Sequence, residues 1–126
     1  MPSRLKIFFD GGCRPNPGAM EIAVVIGGQV HIERDLGQGS SMDAEWLALI
    51  HALRLARTLD RTDTILLGDS AAVVAQASGT AKARGDSAIH LQTFQSLTDP
   101  AHPPHIRRIK RAQNLAGIAL ARLHPR

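Results

Sequence analysis

The sequence predicts an α/β fold: a five-stranded mixed sheet with helices on both faces. Two observations carry this. Three consecutive strand-like stretches precede Leu36, and their hairpin-type links make the first three strands antiparallel. Two later strand-like stretches, the wholly apolar Thr64–Gly68 and His105–Arg111 with its anchors Ile106 and Ile109, are each reached through helical segments, which places strands 4 and 5 parallel to strand 1. The length of 126 residues is that of one domain, and residues 1–126 read as a single unit.

The elements follow in order. In the stretch Lys6–Gly18, Ile7, Phe8 and Phe9 form a buried strand that stops at Asp10, and Gly11, Gly12, Pro15, Pro17 and Gly18 set a stiff loop. Glu21–Gly27 is a second strand, Gly27-Gly28 a hairpin turn, and Gln29–Asp35 an alternating third strand. After the loop Leu36–Ser41, Ser41 serves as N-cap for a helix from Met42 to Leu59, with Asp43 and Glu45 in its first turn. Trp46, Leu49, Ile50 and Leu53 form its apolar stripe. Thr64–Gly68 is a short apolar strand ending at Asp69, with a helix over Ala71–Gln76. A linker Ser78–Asp86 leads to a helix Ser87–Leu97, and Asp99–Pro104 is a loop. His105–Arg111 is the fifth strand and Ala112–Leu123 the last helix.

Composition narrows the function. Hydrophobic residues make up 44% of the chain, which suits a globular core built from aliphatic residues, since Tyr is absent. Cys13 is the only cysteine, so intrachain disulfides and multi-cysteine zinc sites are excluded; it reads as a small loop residue rather than a reactive thiol. No charged-then-apolar leader and no long apolar run is present, so a cytoplasmic protein without membrane contact is expected. The net charge of +4 is unevenly placed. From Ala101 onward there is no acid, against Arg107, Arg108, Lys110, Arg111, Arg122 and Arg126, which points to a polyanionic partner or to a solvated basic tail.

Three acids stand out. Asp10 and Asp69 each close a buried strand, and Glu45 opens a helix on a largely apolar face. Taken singly, they could be a loop acid, a helix cap and a helix-start acid. If the first and fourth strands are parallel neighbours, their C-terminal ends bring Asp10 and Asp69 together, and the helix start adds Glu45. Three converging carboxylates repel one another unless a divalent cation neutralises them, and hard oxygen ligands suit Mg²⁺ or Mn²⁺. Two-metal phosphoryl hydrolysis is the chemistry that follows.

The segments FDGGCRPNPG (Phe9–Gly18), SSMDAEWLALIHAL (Ser40–Leu53), LLGDSAAVV (Leu66–Val74) and RAQNLAGIALAR (Arg111–Arg122) resemble the type 1 ribonucleases H, in that family's order and spacing. The resemblance spans almost the whole chain and implies a ribonuclease H-like fold. It implies that Asp10, Glu45 and Asp69 are catalytic metal ligands, and that the RNA strand of an RNA–DNA hybrid is cut endonucleolytically. It further implies that Cys13, Arg14 and Asn16 contact the hybrid, with Ser41 and Ser70 nearby. Arg107, Arg108, Lys110 and Arg111 then supply salt-sensitive phosphate contacts. A monomer is expected.

The departures are specific. Where the family has a fourth acid within N-x-x-A-D-x-L-A, this chain has Ile118, flanked by Gly117. Ala71 and Ala72 stand where an amide-bearing residue often follows D-S, and only Lys82 and Arg84 remain of a basic handle. His102 and His105 fall in or beside a Pro-rich loop where the family often has a histidine that assists turnover; His124 is expected to have no specific role. Two alternatives therefore stand beside the leading one: a weakly active or inactive nucleic-acid-binding module on this fold, and a nuclease of this fold with another substrate.

Overall fold

The computed structural model describes residues 4–61 and 63–124. Its strands are β1 (Leu5–Cys13), β2 (Gly18–Ile26), β3 (Gln29–Glu33), β4 (Gln38–Gly39), β5 (Thr64–Gly68) and β6 (His105–Arg108). Its helices are α1 (Ser41–Thr58), α2 (Ala71–Ala77), α3 (Asp86–Ser96) and α4 (Leu115–Ala121). The main sheet runs β3-β2-β1-β5-β6, and β4 pairs with β2 off this path. β1, β2 and β3 are antiparallel, whereas β5 runs parallel to β1 and β6 parallel to β5. The expected mixed sheet is present, with one short strand added in the segment read as loop.

The pleat sorts the apolar residues onto two faces. Ile7, Phe9, Ile22, Val24 and Leu66 meet Trp46, Leu49 and Leu53 of α1, Val73 and Val74 of α2, and Phe94 of α3. Ala23 and Val25 meet Ala116, Ala119 and Leu120 of α4 on the other face. Trp46 joins the three helices of the larger layer. Its ring is wholly buried, stacks on His90 and meets Phe94 edge-on, and its Nε1–H donates to Gln76 Oε1 at 3.0 Å.

Several boundaries differ from expectation. β1 does not stop at Asp10: Asp10 through Cys13 continue to pair with β2, from Asp10↔Ala23 to Cys13↔Met20. The parallel ladder to β5 ends earlier, at Phe8↔Leu67. The cap of α1 is Ser40 rather than Ser41: Ser40 Oγ accepts from the Asp43 N–H, and Asp43 Oδ2 accepts from the Ser40 N–H at 3.0 Å. That reciprocal box contributes about 1 kcal/mol and chooses between the two serines. The bond from the Ser40 N–H, opposed by burial and helped by contacts to His90 and the Ser40 hydroxyl, leaves Asp43 below the usual carboxylate range. β6 ends at Arg108, and α4 begins only after a 3-10 turn over Arg111–Gln113, with Asn114 as its cap.

Candidate metal centre and nucleic-acid interface

Three elements deliver the acids. Asp10 lies on β1, two residues past the last pair of the parallel ladder, and Asp69 follows the end of β5. Glu45 comes from the start of α1, which β1 meets at Gly11. A Cβ on Gly11 would lie 2.1 Å from the Ala44 carbonyl oxygen, so only glycine permits this approach. The same closeness lets the Gly11 N–H donate to Glu45 Oε1 at 2.9 Å. As a result, Asp10, Glu45 and Asp69 each offer a carboxylate oxygen, and these atoms lie within 4.8 Å of one another.

Burial and like charge dominate the electrostatics. Glu45 is 8% exposed, and its acid is pushed up to about 10, first by burial and then by its hydrogen bond to Asp10 and the charges of Asp10 and Asp69. Asp10 is also raised, by burial first and by Asp69, with the hydrogen bond to Glu45, the Arg111 guanidinium and the Gly11 N–H pulling the other way. Without a cation, a proton therefore resides on this pair. With the pair ionised, Glu45 Oε2 is buried with no hydrogen-bond donor among the described residues. A buried acceptor left unpaired is costly, and an all-carboxylate donor set with such an oxygen fits a hard divalent cation.

The remaining expected site residues divide. Asn16 is exposed, yet its Oδ1 accepts from the Ser41 N–H at 3.1 Å and from Cys13 Sγ–H at 3.4 Å, which ties the loop to the start of α1. Its amide N–H₂ has no partner among the described residues and remains a donor. Cys13 is buried beside Ser41, with Sγ 3.7 Å from Ser41 Oγ, and Arg14 is exposed. Ser70 is occupied as the cap of α2, its Oγ accepting from the Val73 N–H at 3.3 Å. Arg107 and Arg108 are exposed on the edge strand β6, where the pleat sends them to opposite faces. Lys110 and Arg111 are exposed on the turn beyond, and only Arg111 bears on the acids electrostatically. Arg126 lies outside the described residues.

The far side of the site is α4. A Cβ on Gly117 would lie 3.3 Å from Asp10 Oδ2, so the first turn of α4 abuts that acid. Ile118 is 39% exposed and presents no ligand.

The histidines are elsewhere. His105 pairs with Ile65 at the start of β5, about 13 Å along the strand from Asp69. His102 pairs with exposed Asp99 at 3.2 Å, and both histidines line a groove of about 520 Å³ between the end of α1 and the Pro-rich loop. His124, expected to do nothing specific, instead pairs with the buried carboxylate of Glu21, which Arg34 also meets at 3.2 Å. Asn114 falls inside the last helix expected from the sequence, Ala112–Leu123, with no site role there. It is wholly buried and bonds to Asp69; the signal available was an Asn standing directly before an apolar helical segment.

Comparisons agree with this geometry. The chain is similar to the RNase H1 of the halophilic archaeon Halobacterium salinarum NRC-1, at 28% identity over 94% of each chain, with a TM-score of 0.80. It is similar to the N-terminal RNase H domain of rv2228c from Mycobacterium tuberculosis, at 26% identity over 98% of this chain and 100% of that one, with a TM-score of 0.75. It shares its fold with LC11-RNase H1, solved in complex with an RNA/DNA hybrid, at 24% identity over 89% of each chain and a TM-score of 0.73. A comparison with curated proteins finds no match. A mixed sheet of this order with an acid triad at its centre defines a metal-dependent endoribonuclease of the ribonuclease H type. A family model described as Reverse transcriptase-like matches residues 8–124, and the chain belongs to that family.

Proposed function

We propose that the chain hydrolyses the RNA strand of RNA–DNA hybrids, with Asp10, Glu45 and Asp69 holding Mg²⁺ or Mn²⁺. The observation that carries this is the convergence of three carboxylate oxygens within 4.8 Å, with Glu45 Oε2 buried and without a donor among the described residues. A divalent ion held there lowers the pKa of a water and offsets charge on the phosphate. The residues themselves do the rest. Asp10 and Glu45 give up their shared proton to bind the ion, and the Gly11 N–H fixes the orientation of the Glu45 carboxylate. Asn16 is exposed and its amide N–H₂ has no partner among the described residues, so it suits the acceptor edges and 2′-OH of a minor groove. Arg14 is exposed on the same loop, Cys13 and Ser41 meet beneath and beside it, and Ser70 follows Asp69 in the chain. Arg107, Arg108, Lys110 and Arg111 meet backbone phosphates. The protein acts as a cytoplasmic monomer in this reading.

The test is a panel of RNA–DNA hybrid, double-stranded RNA and DNA substrates, each with Mg²⁺ and with Mn²⁺, using Asp10→Asn as control. Cleavage of hybrid RNA by the parent and not by the control is the expected result. No cleavage of any hybrid in either metal overturns the reading. Ile118 favours a second reading, a slow or inactive hybrid-binding module, because the position where the resemblance expects a fourth acid is apolar. Equal hybrid binding with metal and with EDTA, without cleavage, identifies that case.

A further inference from the structure

We propose that Asn114 is a positioning residue for the metal centre: its side-chain amide fixes the orientation of the Asp69 carboxylate and locks α4 to β1. This rests on the function proposed above. Asn114 is 0% exposed, and its amide is fully engaged. Nδ2 donates to the Phe9 carbonyl oxygen at 3.0 Å and to Asp69 Oδ2 at 3.1 Å, while Oδ1 accepts from the Ala116 N–H at 3.1 Å. The orientation of the amide is dictated by these partners. Flipped, its oxygen would face a carbonyl and a carboxylate, both acceptors, and its N–H₂ would face an N–H.

One planar group thus ties together three pieces of chain: the residue before Asp10, the residue after β5, and the N-terminus of α4. Among the described residues it is the only side chain that donates to Asp69. By occupying Oδ2 with a neutral donor, Asn114 leaves Oδ1 unengaged without changing the charge of the site. Partners of this kind orient ligating carboxylates, and their loss commonly weakens metal binding about 10- to 100-fold. The bridge also holds α4 against Asp10, where Gly117 makes its close approach.

The capping and bridging tasks can be separated. Serine is a good helix cap but is too short to span from α4 to Asp69, so Asn114→Ser keeps the first task and removes the second. Asn114→Thr serves as the second variant, and Asp69→Asn as the control without the ligand. Mn²⁺ affinity of the full chain is measured by calorimetry without substrate, alongside thermal melting and the kcat and KM for a hybrid. The expected result is Mn²⁺ affinity lowered about 10-fold or more, with kcat reduced, KM within about twofold of the parent, and partial recovery of kcat at high Mn²⁺. Unchanged Mn²⁺ affinity in a folded Ser or Thr variant overturns the proposal, as does a loss confined to melting temperature. If the parent binds Mn²⁺ but cuts no hybrid, the functional reading fails while calorimetry still decides the role of Asn114.

Discussion

The Gly11 N–H and the Glu45 carboxylate meet at 2.9 Å, so a backbone donor on the central strand orients an acid from the neighbouring helix. The contact exists because β1 and α1 touch where β1 has no Cβ. Replacing Gly11 with Ala would set a methyl 2.1 Å from the Ala44 carbonyl oxygen. The helix start must then move, at a cost of about 1–3 kcal/mol. Gly11→Ala is expected to melt earlier and to lose hybrid cleavage. A variant that keeps both parent values contradicts the close approach.

The raised pKa of Glu45 makes the stability of the metal-free protein depend on pH. Its folded value of about 10 lies above the ordinary 4.5, so between these pH values the folded state holds a proton that the unfolded state releases. Stability contributed by this group is full below about pH 4.5, declines as pH rises, and is gone above about pH 10. The slope is at most about 1.4 kcal/mol per pH unit. In EDTA, Tm is expected to fall from about pH 6 to about pH 9 and to flatten in Glu45→Gln. A parent Tm that does not fall over that range contradicts this. Added divalent cation takes over from the proton and restores Tm most at the alkaline end.

Ile118 offers a test in the direction of gain. It is 39% exposed on the turn of α4 that abuts Asp10, so a polar side chain there is tolerated. Ile118→Asp adds a carboxylate one residue after Gly117, which approaches Asp10, and is expected to lower the Mn²⁺ concentration needed for half-maximal cleavage. The change in stability should stay within about 0.5 kcal/mol. An unchanged metal dependence would mean that the position does not communicate with the ion.

Arg107 and Arg108 are predicted to act through phosphates alone. Replacing both by Ala should weaken binding to all hybrid sequences alike and reduce the slope of log affinity against log salt by up to about 2. Melting should hardly change, since both side chains are exposed on an edge strand. A slope equal to the parent's removes them from the interface.

His124 is predicted to matter for folding. Glu21 is 7% exposed and is held by His124 and Arg34. Removing one partner leaves a buried carboxylate short of a donor, so His124→Ala should cost about 1–3 kcal/mol. Denaturant melts measure this, and a loss smaller than about 0.5 kcal/mol contradicts it.

Much of this was legible in the sequence for local reasons. Asp10, Glu45 and Asp69 stood out because each interrupts or ends an apolar pattern, and an acid in that position needs a partner. The order of strands and helices followed from apolar runs bounded by Gly and Pro. What was hidden depends on distant chain. Gly11 and Gly12 have no strand propensity of their own, and they remain in β1 because Ile22 and Glu21 pair with them. Ser40 and Ser41 are equivalent caps until the Asp43 carboxylate returns to one of them. Asn114 reads as the interior of a helix until Asp69, 45 positions away, gives it a task. His124 finds its acid 103 positions earlier, beyond any local pattern.

The early end of the β1–β5 ladder has a mechanical consequence. Past Phe8 and Leu67 the two strands part, β1 staying with β2 while β5 gives way to the turn at Asp69. The middle of the sheet is thus a fork, and the carboxylates stand in its crotch where backbone pairing has run out. An ion seated there closes the fork like a rivet, joining segments that are 24 and 35 residues apart in sequence (69 − 45 and 45 − 10). Ion occupancy should therefore register as slowed amide exchange in β1, the start of α1 and the end of β5 together.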